Sequence, residues 1–492
     1  MTRWEWVRSW AVKWLLGRPR RRSPAVTVLL FCLHATAVSV LLLALLAAVV
    51  SRQISPFYGW VEGTPLDAFG QYLVGFVNQQ DLVWRRRVAQ APLLNDEAEA
   101  REYLEEEIRR LRPTHTFLLH NGTVLFGRVL EETANRIVVV CDSDRGPVTT
   151  RLRDRDIKWQ KKIVYPAVEL FPEDVRFLLN FPGYGYYYLP PYLVVSDAPY
   201  PYVQFTYDIL SDLSAEFSKR FHCLLTSQPR SQLAYVCFFR DEPTYLRFAI
   251  QKEDVDLETS VGFYSQNDGC LFVYDRLRSF ARGRIDRLLA EWEADRQSSD
   301  ALQQAQVERL VRDEKERSYQ ALMHQMVTTL RHEGAHQLAF SQGVHTAQGL
   351  EHLWVQEGLA QYCESSPIGE PIVEKLALLR DAQNRHTLVP WQELVDVPAS
   401  GSFSAYTEHT AQAYAQAWLM FYHLMQPAYR THFMMYLQKL HRLTPGEVAK
   451  PDSEMLAKCI ELSFVDLARE LNDRIRNPGT TRQEERAPSG GR

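Results

Sequence analysis

The chain has 492 residues, of which 46% are hydrophobic and 12% aromatic, and its formal net charge is −4. This composition is typical of a globular protein with several domains, and the slight acidity argues against a nucleic-acid partner. The seven cysteines are scattered and include no Cys-x-x-Cys pair, which excludes a disulfide framework and a cysteine zinc cage. The sequence leaves open the prediction of a single disulfide, between Cys223 and Cys237, if the domain lies outside the cytoplasm.

The N-terminal region predicts a membrane anchor. Residues 25–50 contain no charged side chain and are long enough to span about 30 Å of hydrocarbon. Residues 1–24 form a basic segment with seven basic residues and one acid, whereas only Arg52 closely follows the apolar run. The positive-inside rule therefore predicts a single-pass protein of the cell membrane, with a cytoplasmic N-terminus, a transmembrane helix through the lipid bilayer and an extracytoplasmic catalytic domain. A cleaved signal peptide is the alternative, but no Ala-x-Ala site follows the run.

Residues 51–113 predict a helical stalk. Leu104, Ile108 and neighbouring apolar residues recur at helical spacing, and Pro113 ends the pattern.

Residues 114–165 predict a small SH3-like β-barrel, because the apolar period changes from that of a helix to that of a strand. Asn121-Gly122 is typical of a two-residue hairpin turn, and further strands are predicted at 136–141 and 147–152.

Residues 166–202 are rich in Pro, Gly and Tyr, and they predict a linker whose tyrosines pack on the following domain. Residues 203–476 predict the largest domain, mainly helical with a small antiparallel sheet. Asn267-Asp268-Gly269 indicates a hairpin within it, and the charged stretch 278–320 predicts a pair of solvated helices. The polar tail 477–492 is predicted to be disordered. The fold class is therefore α+β.

Residues 332–336 read His-Glu-Gly-Ala-His. Two residues four apart lie on one face of a helix, so His332 and His336 can direct two imidazoles at one metal ion, with Glu333 beside them. Gly334 lies on the apolar face of the same helix. A glycine inside a helix costs about 1 kcal/mol relative to alanine, so we expect a neighbouring element to pack closely over it.

A catalytic zinc site needs a third protein ligand and one open position. Glu357 is the best candidate, because it lies in a second apolar-patterned helix, twenty-one residues after His336. His345 and His352 are the fallback ligands. The metzincin alternative requires a histidine where the chain has Gln342, and a site inside the bilayer is excluded because the helix is too polar.

The pentad, followed by Trp354 and by Glu357-Gly358-Leu359-Ala360, resembles the gluzincin clan of zinc peptidases, whose fold is thermolysin-like. It is similar in particular to bacterial "peptidase MA-like" proteins, including one catalogued only as a domain of unknown function. The resemblance covers about residues 203–475. Outside the motif it includes three stretches: 262–274, 414–418 and 464–475.

The resemblance implies that His332, His336 and Glu357 bind one zinc ion, and that Glu333 is the general base and acid. It also implies a tyrosine that stabilises the oxyanion. Tyr414 is the first candidate, because it opens the matching helix, and Tyr406 is the second.

The strand before the zinc helix is expected to be an edge strand that pairs with an extended substrate. Its residues are Cys270, Leu271, Phe272, Val273 and Tyr274. The charged insertion at 278–320 is expected to narrow access to the cleft. Glu364 and Glu408 are candidates for fixing the histidine tautomers, although the sequence favours surface positions for both.

The sequence therefore predicts a membrane-anchored zinc peptidase, which hydrolyses a peptide or protein substrate with a water that zinc binds and Glu333 activates. One alternative is a binding or scaffold protein on a retained peptidase fold, and another is zinc hydrolysis of a bond other than a peptide bond. The sequence determines neither the oligomeric state nor the cleavage specificity.

Overall fold

The computed structural model describes residues 97–143, 146–181, 183–225, 233–253, 261–276, 301–346, 351–398, 403–442 and 452–477. The predicted anchor, the first part of the predicted stalk and nearly all of the predicted tail lie outside these residues. Within the described ranges, no helix combines the length and the apolar character needed to cross a bilayer.

The described residues have a mixed α+β fold with twelve α-helices and two five-stranded sheets. The helices are α1 (Glu97–Leu111), α2 (Pro172–Leu178), α3 (Tyr200–Phe221), α4 (Glu242–Glu253), α5 (Ala301–Ser341), α6 (Leu353–Tyr362), α7 (Val373–Asn384), α8 (Trp391–Val395), α9 (Thr410–Leu424), α10 (Arg430–Leu440), α11 (Asp452–Ile460) and α12 (Phe464–Arg476). The strands are β1 (His115–Leu119), β2 (Val124–Thr133), β3 (Arg136–Ser143), β4 (Gly146–Arg153), β5 (Ile157–Lys162), β6 (Gly185–Leu189), β7 (Tyr192–Ser196), β8 (Ala234–Phe239), β9 (Gly262–Ser265) and β10 (Cys270–Tyr274). Two 3-10 helices cover Asp154–Asp156 and Phe403–His409.

The N-terminal sheet consists of strands β1 to β5 in the order β4-β3-β2-β1-β5, and every neighbouring pair is antiparallel. Its small core contains Phe117, Val139 and Leu152. The hairpin predicted at Asn121-Gly122 is confirmed, and Gly122 has a φ of +85°, which a glycine adopts without strain. In the described residues the strand order ends at β4 and β5, so barrel closure stays a prediction.

The central sheet, with the order β6-β7-β8-β10-β9, corrects two predictions. Its β6 and β7 come from the segment 166–202, which the sequence assigned to a linker, so the larger domain begins before residue 203. The sheet is also mixed rather than antiparallel, since β8 lies parallel to both β7 and β10. The tyrosines of this segment were expected to pack inside the protein, and Tyr186, Tyr187 and Tyr192 are buried.

The central sheet is covered on both faces. One face of β8 and β10, with Val236, Phe238 and Leu271, packs into the core formed with α3, α5 and the later helices. The opposite face, with Cys237 and Phe272, packs with α1, α2 and α4. The disulfide between Cys223 and Cys237 that the sequence left open is not formed, because Cys223 is exposed while the Cys237 Sγ lies 3.6 Å from that of Cys270.

The predicted edge strand is also corrected. Strand β10, residues 270–274, pairs with β8 on one side and with β9 on the other, and all five of its residues are buried. Its backbone groups are therefore already used within the sheet. In the described sheet the edge on this side is β9.

Helix α5 is longer than the sequence predicted. Its 41 residues join the second half of the predicted insertion to the helix that carries His332 and His336 without a break. The length corresponds to about 60 Å. The described side chains before Leu322 are exposed, whereas Leu322, Met326 and Leu330 are buried in the core, so the helix enters the domain at Leu322.

Candidate metal centre

Helix α5 presents the two predicted histidine ligands side by side. The rings of His332 and His336 have their centroids 5.0 Å apart, as expected one helical turn apart. Gly334, between them, faces α3: a Cβ built there would lie 2.7 Å from Leu210 Cδ2 and 2.9 Å from Leu213 Cδ2. The close packing expected over this glycine is confirmed.

Helix α6 brings the third predicted ligand to the same point. The Glu357 carboxylate lies 3.4 Å from His332 Nε2 and 3.6 Å from His336 Nε2. Ligand atoms of the three side chains all lie within 4.8 Å of one another, so the group could hold a metal ion.

The position of α6 depends on close backbone packing. Gly358 follows Glu357 directly, and a Cβ built on it would lie 2.8 Å from the carbonyl oxygen of Ala417 in α9. One turn earlier, the buried Trp354 donates from Nε1 to Asp452 Oδ2 at 2.8 Å. These two contacts fix the helix on both sides of its ligand.

His332 is oriented by a buried carboxylate. Its Nδ1 lies 2.9 Å from Glu364 Oε1, which assigns the proton to Nδ1 and directs Nε2 toward Glu357. The other oxygen of Glu364 lies 2.8 Å from Lys375 Nζ on α7, and Lys375 also donates to Gln361. Such a carboxylate–histidine pair holds a metal ligand in one tautomer and one orientation.

Arg331 also stabilises this region. Its guanidinium is buried and donates from Nε to the carbonyl of Cys363, at the end of α6, at 2.9 Å. It also forms an ion pair with Glu216 on α3 at 2.9 Å. The residue before His332 therefore ties α5 to the segment that carries Glu364.

Glu333 faces the edge strand of the sheet. Its Oε2 accepts a hydrogen bond from the backbone N–H of Tyr264 in β9 at 2.9 Å. Burial raises the pKa of Glu333, whereas the two histidines and the Tyr264 amide lower it. Burial has the larger effect, so the pKa lies above its usual range. A carboxylate with a raised pKa is a more effective general base near neutral pH.

Negative charge dominates the electrostatics of the ligand group. Burial lowers the pKa of His332, but hydrogen bonds to Glu357 and Glu364 outweigh it and raise the pKa to about 10. Burial alone would raise the pKa of Glu357, but the facing imidazoles of His336 and His332 hold it well below its usual range. The Glu357 carboxylate therefore stays ionised and favours a cation between the rings.

The ligand group opens into a cavity of about 660 Å³. Its lining includes Glu333, Phe340, Lys375 and Tyr414, together with Phe263 and Tyr264 of β9. Burial, followed by the charges of Glu357 and Glu333, raises the pKa of Tyr414, so its phenol keeps its proton and can act as a hydrogen-bond donor. Tyr406, the second candidate, is not part of this lining.

The remaining candidates lie elsewhere among the described residues. His345 is buried against Phe340, with ring centroids 5.1 Å apart, and His352 Nδ1 lies 3.2 Å from the carbonyl oxygen of Val397. Neither histidine belongs to the ligand group. Glu408 is exposed, as expected, whereas Glu364 contradicts the expectation of a surface position.

Family comparison covers this part of the chain. Residues 326–447 match the model of a family described as "Protein of unknown function (DUF1570)". This stretch is a DUF1570 domain. It contains all three residues of the ligand group together with Glu333, Glu364, Lys375 and Tyr414. No curated protein matches the chain.

Sequence reasoning gave too little weight to Glu364 and missed Lys375 of the DUF1570 domain. Glu364 lies two residues beyond Tyr362, the last residue of α6, so its approach to His332 does not follow from helical spacing. Lys375 lies on another helix and reaches Glu364 only through the tertiary fold. No local sequence signal indicated either contact.

Proposed function

We propose that the protein is a membrane-anchored zinc peptidase of the gluzincin type. The observation that carries this proposal is the convergence of His332 Nε2, His336 Nε2 and the Glu357 carboxylate beside Glu333, in one cavity. The apolar residues 25–50, with the basic cluster before them, support the anchor.

The donor set suits zinc. Two imidazole nitrogens and one carboxylate are a known ligand combination of catalytic zinc, which keeps a further position open. Glu364 leaves His332 Nε2 directed at the centre, as a metal ligand requires. When bound, zinc would supply Lewis-acid polarisation of the scissile carbonyl and of the attacking water.

The remaining steps are assigned to side chains of the chain itself. Glu333, held on Oε2 by the Tyr264 amide, takes a proton from water with its other oxygen and delivers it to the leaving amine. Tyr414 donates a hydrogen bond to the oxygen that gains negative charge. Both side chains line the same cavity.

Strand β9 replaces β10 as the element proposed to bind substrate. It is the sheet edge on the cavity side, and Phe263 and Tyr264 contribute to the cavity wall. An extended peptide can add to such an edge through backbone hydrogen bonds.

For the N-terminal sheet we keep the proposal of an SH3-like module. Strand β1 pairs with both β2 and β5, and a 3-10 turn at Asp154–Asp156 precedes β5. These features support the proposal.

A peptide-library digest tests the activity. The full chain, loaded with zinc, is incubated with a proteome-derived peptide mixture, and new termini are identified by mass spectrometry. We expect cleavage by the parent protein and about 10²- to 10⁴-fold less cleavage by Glu333→Gln, with both proteins holding zinc. Zinc retention without cleavage in either protein would favour the binding or scaffold alternative.

A further inference from the structure

Two polar side chains line the cavity without a role in the proposed reaction: Gln361 of α6 and Lys375 of α7. Gln361 lies four residues after Glu357 on the same helix, so the two side chains share one face and are one turn apart. A helical turn rises about 5.4 Å, which places Gln361 directly beside the ligand group. The residue is only 3% exposed, so its polar atoms have little contact with bulk solvent.

The orientation of the Gln361 amide follows from its contact with Lys375. An ammonium group can only donate, so the atom of Gln361 that it contacts is the carbonyl oxygen Oε1. The amide nitrogen Nε2 carries two N–H donors, and it has no hydrogen-bond partner within the described residues. Buried amide nitrogens are normally hydrogen-bonded. Because Gln361 lines the cavity, a ligand there is the expected acceptor.

Lys375 also keeps one donor for a ligand. Its ammonium has three N–H groups. Among the residues that the structure describes, one group donates to Glu364 Oε2 at 2.8 Å and one to Gln361. The side chain is 18% exposed and lines the cavity, so the third N–H is available there. Gln361 and Lys375 therefore present donors, one of them charged, at a single place beside the ligand group.

We propose that Gln361 Nε2 and Lys375 Nζ together bind a carboxylate of the substrate. A carboxylate has two acceptor oxygens and the charge opposite to that of the ammonium, and such charge-assisted hydrogen bonds are stronger than neutral ones. The inference rests on the proposed peptidase function and names its substrate class, which is peptides with a carboxylate close to the scissile bond.

The position of the pair limits where that carboxylate lies in the substrate. An extended chain advances about 3.3–3.6 Å per residue, so one helical turn corresponds to one or two residues from the bond attacked at the ligand group. Two groups of a peptide meet this requirement. One is the C-terminal carboxylate of a peptide that loses its last residues, and the other is the side chain of an Asp or Glu next to the scissile bond.

The test measures binding, so it does not depend on cleavage. The full-length Glu333→Gln protein, loaded with zinc, is dialysed against three pools of synthetic peptides of equal length, and bound peptides are quantified by mass spectrometry. The first pool has free C-termini and no Asp or Glu. The second has amidated C-termini and contains Asp and Glu, and the third is amidated with Asn and Gln in their place.

We expect the first or the second pool to be retained about tenfold more than the third, which has no carboxylate. Preference for the first pool identifies the C-terminal carboxylate as the ligand, and preference for the second identifies an acidic side chain. Equal retention of the three pools would overturn the inference.

Gln361→Glu makes the test specific for this pair. The substitution keeps the shape of the side chain and an oxygen that accepts from Lys375, but it replaces the amide donor by a negatively charged oxygen. The preference for carboxylates should therefore disappear. Gln392→Glu, exposed on α8, adds the same charge away from the cavity and should keep the preference. A preference that survives in Gln361→Glu would overturn the inference, because the carboxylate would then bind elsewhere, for example at the metal.

The same binding measurement separates this inference from the proposed function. A carboxylate preference that Gln361→Glu removes, in a protein whose parent cleaves no peptide, would support the carboxylate site and contradict the peptidase activity. Cleavage by the parent protein with equal retention of all three pools would do the reverse.

Discussion

In the candidate metal centre the charged side chains face one another inside the protein, whereas in the N-terminal sheet they face solvent. Glu364 contacts His332 on one side and Lys375 on the other, and its side chain is only 11% exposed. Arg136 and Arg153 face each other with exposed side chains and no buried partner. The first arrangement orients groups toward one point, and the second leaves its charged groups in contact with solvent.

The two regions also differ in their cores. The ligand helices α5 and α6 belong to the largest buried cluster, which also includes the tryptophans Trp354 and Trp418. The core of the N-terminal sheet has five buried residues. A side chain that must stay within a few tenths of an ångström is better held by the larger core, because its neighbours fix its rotamer.

The largest effect is expected at Glu333. Glu333→Gln removes the proton acceptor but keeps the shape of the side chain, so peptide cleavage should fall by about 10²- to 10⁴-fold while zinc content is unchanged. Glu316→Gln, exposed on the same helix, is the matched control and should retain activity. Parallel loss of zinc in Glu333→Gln would show that the residue acts on metal binding instead.

Truncation of one core side chain in the N-terminal sheet tests whether this sheet and the candidate metal centre are independent. Phe117 is fully buried, so Phe117→Ala should destabilise the sheet by about 3–5 kcal/mol. We expect hydrogen exchange to accelerate in β1 to β5, with zinc binding unchanged in a titration. A fall in zinc affinity would show that the metal centre depends on this sheet.

Two glycines beside the ligands should respond differently to alanine. At Gly358 the new Cβ would meet the backbone of Ala417, which cannot move alone, so Gly358→Ala should cost about 1–3 kcal/mol of the free energy of unfolding. At Gly334 the contacts are the ends of two leucine side chains, and alanine adds helix propensity of about 1 kcal/mol. Urea unfolding should therefore rank Gly334→Ala closer to the parent protein, and the reverse order would contradict the packing described here.

Removal of the carboxylate behind His332 should weaken the metal site without abolishing it. Glu364→Ala frees the Nδ1 side of the imidazole, so zinc affinity should fall by about 10- to 100-fold in a competition titration with a chelator. Glu370→Ala, an exposed residue nearby, serves as the control. Unchanged affinity in Glu364→Ala would remove the assigned role of this hydrogen bond.

The sequence predicted the structure best where a residue type or a spacing has a single structural explanation. The spacing of His332 and His336 required a shared helix face, and Gly334 required a close neighbour, which α3 supplies. The hairpin at Asn267-Asp268-Gly269 formed as expected between β9 and β10, with Gly269 at a φ of +62°. These are local rules, and tertiary packing did not override them.

The sequence predicted poorly where tertiary context decides. The segment 185–196 is rich in Tyr and contains Pro190-Pro191, a composition typical of a linker, yet it forms two strands because the central sheet buries its side chains. The order of strands within that sheet, and therefore the edge at β9, depends on long-range pairing that alternation along one strand does not encode. The ion pair of Lys375 with Glu364 could not be predicted from the sequence for the same reason.

Zinc stoichiometry of the purified full chain tests the central claim most directly, measured beside His332→Ala, Glu357→Ala and the control His324→Ala, an exposed histidine on the same helix. We predict about one zinc per chain in the parent and in the control, and loss of zinc in both ligand variants. A folded parent protein that holds no zinc after the metal is added back would contradict the account.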